Sequence, residues 1–291
     1  MSEKTSHIVI IGAGMGGLAT AIRVASAGYG VTLLEAADGP GGKMRTVHSA
    51  AGPVDAGPTV VTMRHQFDEL FKLAREDIAD HVRLEAEPLL ARHWWPDGSS
   101  LDLFADAGAS RDAIASFAGA REAAAFEAFS ARAARLFNAF EAPMMKAPAP
   151  SLGSMTAAVL RQPSIIPDMG SLRSLAGELK RTFKDARLRQ LFGRYSTYVG
   201  GHPAQSPAIL QLIWHAEASG VWRVQGGMAR LAEALAGLAE RMGVDLRYGA
   251  PVERIEIQDG RAAAVHAGGQ RLAAEAVVFN GDPAALRAGL L

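Results

Sequence analysis

The sequence has 291 residues, 49% of them hydrophobic, which is enough apolar side chain for one large buried core or two smaller ones. Lys and Arg number 30 and Asp and Glu 30, so no net field draws the chain to nucleic acid, and nucleic acid is excluded from the expected partners. Cysteine is absent, which excludes disulfides, thiolate metal sites and sulfur redox relays and leaves any redox chemistry to a bound cofactor.

The N-terminus opens with a β-branched run over residues 7–11, helix formers over 15–27 and a second β-like run over 31–35, which predicts a βαβ unit. Gly12-x-Gly14-x-x-Gly17 falls where the first strand meets the helix. Gly12 permits the tight turn, Gly14 lets backbone approach a pyrophosphate, Gly17 allows close helix-strand packing, and the helix N-terminus favours an anion. Glu35 closes the second strand, where a carboxylate can accept hydrogen bonds from ribose hydroxyls and would repel a 2′-phosphate. The competing reading is that the glycines only shape a loop and Glu35 is a solvated strand end.

The stretch after Glu35, "GPGGKMRT", adds a second glycine turn with two cations. A simple nicotinamide domain has no need of it. Gly41 and Gly42 can bring backbone close to a second part of an extended cofactor, and Lys43 and Arg45 can meet phosphate or ring oxygens, so FAD is the expected dinucleotide.

Residues 46–62 read as an irregular loop and 65–73 as a helix. Residues 91–104 place Pro-Asp-Gly-Ser between two strand-like runs, a hairpin signal. The alanine-rich stretch 110–140 carries Phe126, Phe129, Phe137 and Phe140 on one helical stripe, the pattern of a core-facing helix. Prolines and methionines crowd residues 142–170. A basic amphipathic helix is then expected over 172–191, with Leu172, Leu175, Leu179 and Phe183 on one face beside Arg173, Lys180, Arg181, Lys184 and Arg187. A helix over 228–241 and β-like runs at 245–248, 252–257 and 276–280 return the chain to α/β character.

The eight histidines are scattered, with no His-x-x-x-His pair or carboxylate cluster, so no metal is expected. Residues 8–22, the longest charge-free stretch, are short for a bilayer span, and Glu3 without a small-residue cleavage site speaks against a signal peptide. The expected location is the cytoplasm.

"GAGMGGL", "LLEA" and "GGKMRT" resemble the N-terminal fingerprint of the flavoprotein family of amine oxidases, protoporphyrinogen oxidases and bacterial-type carotenoid desaturases. The resemblance implies that Gly12, Gly14 and Gly17 carry the pyrophosphate of FAD, Glu35 the adenosine ribose, and Gly41, Gly42, Lys43 and Arg45 the inner half. Gly57, Pro58 and Thr59 resemble the segment beside the flavin ring, and Val252 the valine whose backbone meets adenine. Residues 194–228 resemble the second half of the substrate domain. "GPTVVTMRHQFDELF", "RHWWPDG" and "LFGRYSTYVGG" resemble the group of 1-hydroxycarotenoid 3,4-desaturases.

The implied fold is α/β: a Rossmann-like FAD-binding domain over 1–85 and 221–291, with an inserted α+β substrate domain over 86–220. The implied activity is desaturation of an acyclic hydroxylated carotenoid, hydride passing to flavin and onward to oxygen or a quinone. The alternatives are an amine-oxidase-like or protoporphyrinogen-oxidase-like flavoenzyme, or an inactive fragment, since nothing after Asp282 resembles the family's glycine-rich C-terminal flavin segment and a truncated or partial sequence is expected.

No Ser/His/Asp arrangement or close carboxylate pair calls for acid/base catalysis, and no catalytic residue is assigned. Arg194, Tyr195, Tyr198, His202, His215 and Glu217 are candidates for one hydrogen bond to a substrate hydroxyl, with packing roles as the competing reading. A long polyene prefers lipid by about 0.8 kcal/mol per methylene, so the enzyme is expected at the inner face of the cytoplasmic or photosynthetic membrane, with two competing readings of the basic helix over 172–191: one lying on that surface, or an ordinary solvated helix over the substrate domain.

Overall fold

The strand His7–Ile11, the helix Met15–Ser26 and the strand Gly30–Leu34 form where the hydrophobic pattern places them. They begin a computed structural model that describes residues 6–147, 149, 151–170 and 173–289. The two strands pair in parallel, Ile8 opposite Val31. Ala276–Phe279 adds to the outer side of the first and Asp245–Arg247 to the outer side of the second, completing a four-stranded parallel sheet. Val9, Ile10 and Leu33 are fully buried because both faces are covered, which is why these strands read as continuous apolar runs.

The helices Met15–Ser26 and Ala229–Arg241 cover one face through Leu18, Ile22, Leu231, Leu235 and Leu238. A three-stranded antiparallel sheet, Val252–Gln258, Arg261–Ala267 and Gln270–Ala273, covers the other through Val265 and Ala267. Each such leucine or isoleucine contributes about 1.5–3 kcal/mol by leaving water. The α/β expectation is borne out, with the parallel sheet at its centre.

The chain divides into two compact units, Met1–Glu85 with Trp222–Leu291, and Ala86–Val221. In the second, the hairpin Leu89–Trp94 and Ser100–Phe104 turns at Asp97, whose Oδ1 accepts from the backbone and hydroxyl of Ser99 at 2.9 and 2.6 Å. Phe126, Phe129 and Phe140 are buried as the stripe predicts, and the Phe129 and Phe192 rings lie 4.7 Å apart.

Three expectations fail locally. Residues 46–62 are not all loop: Thr46–Ser49 and Gly52–Asp55 pair as a hairpin, closed by Ser49 Oγ donating to the Gly52 carbonyl. Both strands are largely exposed, so no buried alternating face marks them in sequence. The alanine-rich stretch is two helices, Ala107–Ala118 and Ala120–Phe140, separated at Gly119, whose φ of 95° no helix allows.

The basic amphipathic helix is likewise two, Leu175–Thr182 and Ala186–Gly193, with Asp185 capping the second by accepting from Arg187 N at 2.7 Å. Buried Glu122 holds the joint by accepting from Lys184 N at 3.0 Å and Asp185 N at 3.3 Å. Its apolar face belongs to the core of the unit: Leu175, Leu179, Phe183 and Leu188 are at most 1% exposed. Two of its cations are spent internally, Arg173 on Glu178 at 2.7 Å and Arg187 on Asp185 at 2.7 Å. Leu172 lies outside the described residues.

Candidate functional site

Gly12 N donates to the Leu34 carbonyl at 2.7 Å, so the glycine loop leaves the sheet as a continuation of its hydrogen bonding. The helix Met15–Ser26 that follows has no side-chain cap and no acid in its first turn, which leaves its leading amides for an anion. Gly17 seats the helix on the turn: a Cβ there would lie 1.9 Å from the Gly12 carbonyl oxygen. Asn280 stands over the same loop. Its Nδ2 donates to the Gly12 carbonyl at 3.3 Å, its backbone N donates to Ile11 O at 2.9 Å, and a Cβ on Gly16 would meet its Oδ1 at 2.5 Å.

The Glu35 carboxylate accepts from Ala13 N at 2.7 Å and from Ala37 N at 2.8 Å, which locks it between the glycine loop and the residues after its own strand. Each oxygen keeps a further lone pair for a ribose hydroxyl. Gly249 N donates to the Ala37 carbonyl at 3.0 Å and Ala250 N to the Glu35 carbonyl at 2.8 Å, so the approach to Val252 runs alongside the acidic strand end.

The second glycine turn is built directly onto the first. Gly41 N donates to the Ala13 carbonyl at 2.8 Å, and Gly14 and Gly41 form an isolated parallel bridge. Gly41 and Gly42 have φ of 117° and 59°, and a Cβ on Gly42 would lie 3.2 Å from Gly14 Cα. Gly57 closes on the far side, where a Cβ would lie 2.0 Å from the Lys43 carbonyl, while Ala56 N donates to the Arg45 carbonyl at 2.8 Å. Lys43, Arg45, Gly57, Pro58 and Thr59 are exposed along this edge.

Asp55 ties the edge to the helix Ala229–Arg241 by accepting from Met228 N at 2.9 Å. Thus Gly12, Gly14, Gly17, Glu35, Gly41, Gly42, Lys43, Arg45 and Gly57 lie along one continuous rim, and the residues present fit an extended dinucleotide. Asn280 was not legible as a site residue. Its one sequence signal, a polar residue ending an apolar strand, is common to many strand ends.

In the second unit the six polar candidates separate. Arg194 Nη2 donates to Glu217 at 2.6 Å and Tyr195 OH donates to the same carboxylate at 2.9 Å, with the guanidinium 4.6 Å from the Tyr195 ring centre. Burial pushes the Tyr195 phenol well above its ordinary pKa. Tyr198 is exposed, and His202 caps a surface turn by accepting from Ala204 N at 3.2 Å. His215 lies against Phe137, ring centres 5.1 Å apart, and burial lowers its pKa.

His93 belongs with this group although its sequence context does not mark it. Its Nε2 is buried without a partner, and burial pushes its pKa down to about 4. Among the described residues no cluster could hold a metal, and no helix is long and apolar enough to cross a membrane.

The family described as flavin containing amine oxidoreductase matches residues 15–291. A hydroxyneurosporene desaturase of Cereibacter sphaeroides is 55% identical over the whole chain, and one of Rubrivivax gelatinosus is 44% identical over 99% of it. A phytoene dehydrogenase of Streptomyces griseus is 32% identical over 95%. The chain spans 59%, 55% and 54% of the lengths of these three curated relatives.

Among solved structures, a putrescine oxidase variant superposes with a TM-score of 0.63 at 19% identity, covering 97% of this chain and 60% of that one. A fatty acid isomerase from P. acnes superposes with a TM-score of 0.61 at 17% identity, covering 100% and 62%. These two speak to the fold.

Proposed function

Because the chain belongs to the flavin-containing amine oxidoreductase family, and FAD is therefore its cofactor, we propose that it desaturates an acyclic hydroxylated carotenoid. When bound, FAD supplies the acceptor for a hydride taken from one of two adjacent carbons. The chain's own residues bind and orient. The uncapped amides after Gly14 and the Gly41–Gly42 backbone hold the diphosphate, Glu35 accepts from the adenosine ribose, and Lys43 and Arg45 supply positive charge along the rim.

The unit Met1–Glu85 with Trp222–Leu291 is the cofactor domain in this reading, and Ala86–Val221 holds the hydrocarbon. The observation that carries the cofactor assignment is the second glycine turn bonded onto the first. The hydroxyneurosporene desaturases at 55% and 44% identity support the substrate class over an amine.

Purified protein is expected to take up FAD and, supplied with a 1-hydroxylated acyclic carotenoid, to red-shift the polyene absorption as one double bond is added. Glu35→Ala removes the ribose acceptor and two backbone caps together, and FAD affinity is expected to fall about 10–100-fold, on the scale of one or two charge-assisted hydrogen bonds. Flavin uptake with an unchanged polyene spectrum would sink the substrate assignment, and unaltered affinity in the variant would sink the role of Glu35.

The same reading places the protein peripherally on the inner face of the cytoplasmic or photosynthetic membrane, where its substrate dissolves. The surface for it is not the helix pair Leu175–Gly193, whose apolar face is buried, but the helix Leu152–Arg161 and its flanks. Leu152 is 82% exposed, Leu160 72%, Met145 55% and Ile166 48%, with the exposed cations Lys146 and Arg161 in the same stretch. In flotation with vesicles of phosphatidylcholine and phosphatidylglycerol, Leu152→Ser with Leu160→Ser is expected to lower bound protein at least about tenfold. Equal flotation of the variant would rule this surface out.

A further inference from the structure

The helices Ala120–Phe140 and Ile213–Ala218 and the end of the strand Ser100–Phe104 enclose a cavity of about 220 Å³ within the second unit. Phe126 and Trp214 form its buried floor, only 2% and 3% exposed, and Ala107 lies exposed at its mouth. Two polar groups, Ser130 and His215, enter an otherwise apolar wall.

Both are only partly used by the protein. Trp214 Nε1 donates to Ser130 Oγ at 2.8 Å, which positions the hydroxyl and leaves its own hydrogen without an acceptor among the described residues. The hydrogen-bond partner of His215 Nε2 is Ser219 Oγ, 3.5 Å away, and that hydroxyl already donates to the His215 carbonyl at 2.6 Å. Burial disfavours the charged imidazole against the pull of Glu141, and with the Ser219 hydrogen already given away Nε2–H donates to Ser219 Oγ, which leaves the Nδ1 lone pair as the acceptor of the ring, without a partner among the described residues.

We infer that this cavity receives the hydroxylated end of an acyclic isoprenoid chain, with Ser130 donating to the hydroxyl oxygen and His215 Nδ1 accepting the hydroxyl hydrogen. The inference rests on the desaturase reading above and assigns the recognition of its substrate class to two residues.

The dimensions and chemistry support this occupant over others. Sites for whole drug-sized ligands span about 300–1,000 Å³, so a smaller cavity takes the end of a chain and leaves the polyene outside. A hydroxyl is the group that both accepts and donates one hydrogen bond. A carboxylate cannot donate to His215, and an ammonium cannot accept from Ser130 and finds no carboxylate in the wall. Aromatic and methyl surfaces complete the fit for branched hydrocarbon. A chain lacking the hydroxyl would cover Ser130 and His215 without pairing them, which disfavours it.

Isothermal titration with dihydromyrcenol, an acyclic terpene bearing a tertiary hydroxyl at one end, and with its hydrocarbon counterpart dihydromyrcene tests the site directly. The protein is expected to prefer the alcohol about tenfold, equivalent to about 1.4 kcal/mol. His215→Leu should bring the two affinities together while the hydrocarbon still binds, and Ser130→Ala should reduce the preference. Ala107→Trp at the exposed mouth should block both probes while leaving the core untouched.

Equal binding of the two probes, an unchanged preference in His215→Leu, or no binding at all overturns the inference. FAD titrated in parallel separates this result from the flavoenzyme reading. Flavin uptake without alcohol preference defeats the subsite alone, and alcohol preference without flavin uptake supports the subsite while defeating the enzyme reading.

Discussion

A Gly17→Ala variant is expected to purify without flavin and to resist reconstitution. The added methyl would stand 1.9 Å from the Gly12 carbonyl oxygen and 3.1 Å from Asn280 Nδ2. Neither neighbour can yield cheaply. Gly12 is held by its 2.7 Å hydrogen bond to the Leu34 carbonyl, and Asn280 by its 2.9 Å hydrogen bond to the Ile11 carbonyl. The helix Met15–Ser26 must therefore withdraw from the strand, carrying away the uncapped amides proposed to hold the diphosphate.

Overpacking of this kind costs about 1–3 kcal/mol, so the fold is expected to survive with a lower Tm while the cofactor is lost. Gly237→Ala is the matched control. It lies in the helix Ala229–Arg241, where a Cβ meets only the flexible end of Arg241 at 3.2 Å, and alanine favours a helix interior by roughly 0.5–1 kcal/mol. Flavin absorbance per mole of protein checks both, and near-stoichiometric flavin in Gly17→Ala would refute the argument.

Glu217→Ala is expected to give a large loss of stability in the second unit. It strips the half-buried Arg194 guanidinium of its carboxylate and leaves the fully buried Tyr195 hydroxyl without an acceptor. Removing one partner of a buried pair costs roughly 3–5 kcal/mol, and the 29% exposure of the Arg194 side chain lets water screen part of it, so about 2–3 kcal/mol is expected. Glu217→Gln keeps an acceptor for Tyr195 and should lose less. Arg194→Met with Glu217→Leu removes both charges and should recover part of the loss. Urea unfolding followed by tryptophan fluorescence reads all three, and wild-type stability in Glu217→Ala would show that the network contributes nothing.

Much of the glycine-rich rim, as backbone structure, was legible because its signals are local. Gly12, Gly14 and Gly17 announce a strand-to-helix turn, Glu35 sits at a strand end, and "GPGG" marks a second turn; each inference needs only a few consecutive residues. The hairpin Thr46–Asp55 escaped because its strands face solvent and lack the alternation that burial imposes. The break at Gly119 escaped because alanine on both sides reads as one helix, and the joint at residues 183–185 because the cations on either side continue one apparent face. The strand Arg261–Ala267 is alanine-rich and Gln270–Ala273 is short and half polar, so both carry little β signal of their own.

The sequence by itself determined the βαβ unit, the double glycine turn and the exclusion of cysteine chemistry, because backbone conformation at glycine and the period of apolar residues depend on near neighbours. Only the tertiary structure decided that Asn280 closes the first turn, that Glu122 holds two amides of a distant joint, and that Arg194 and Tyr195 share Glu217. These pairings join residues far apart in the chain. They satisfy polar groups whose partners become defined only when the core brings separate elements together, and no local pattern encodes which donor will meet which acceptor.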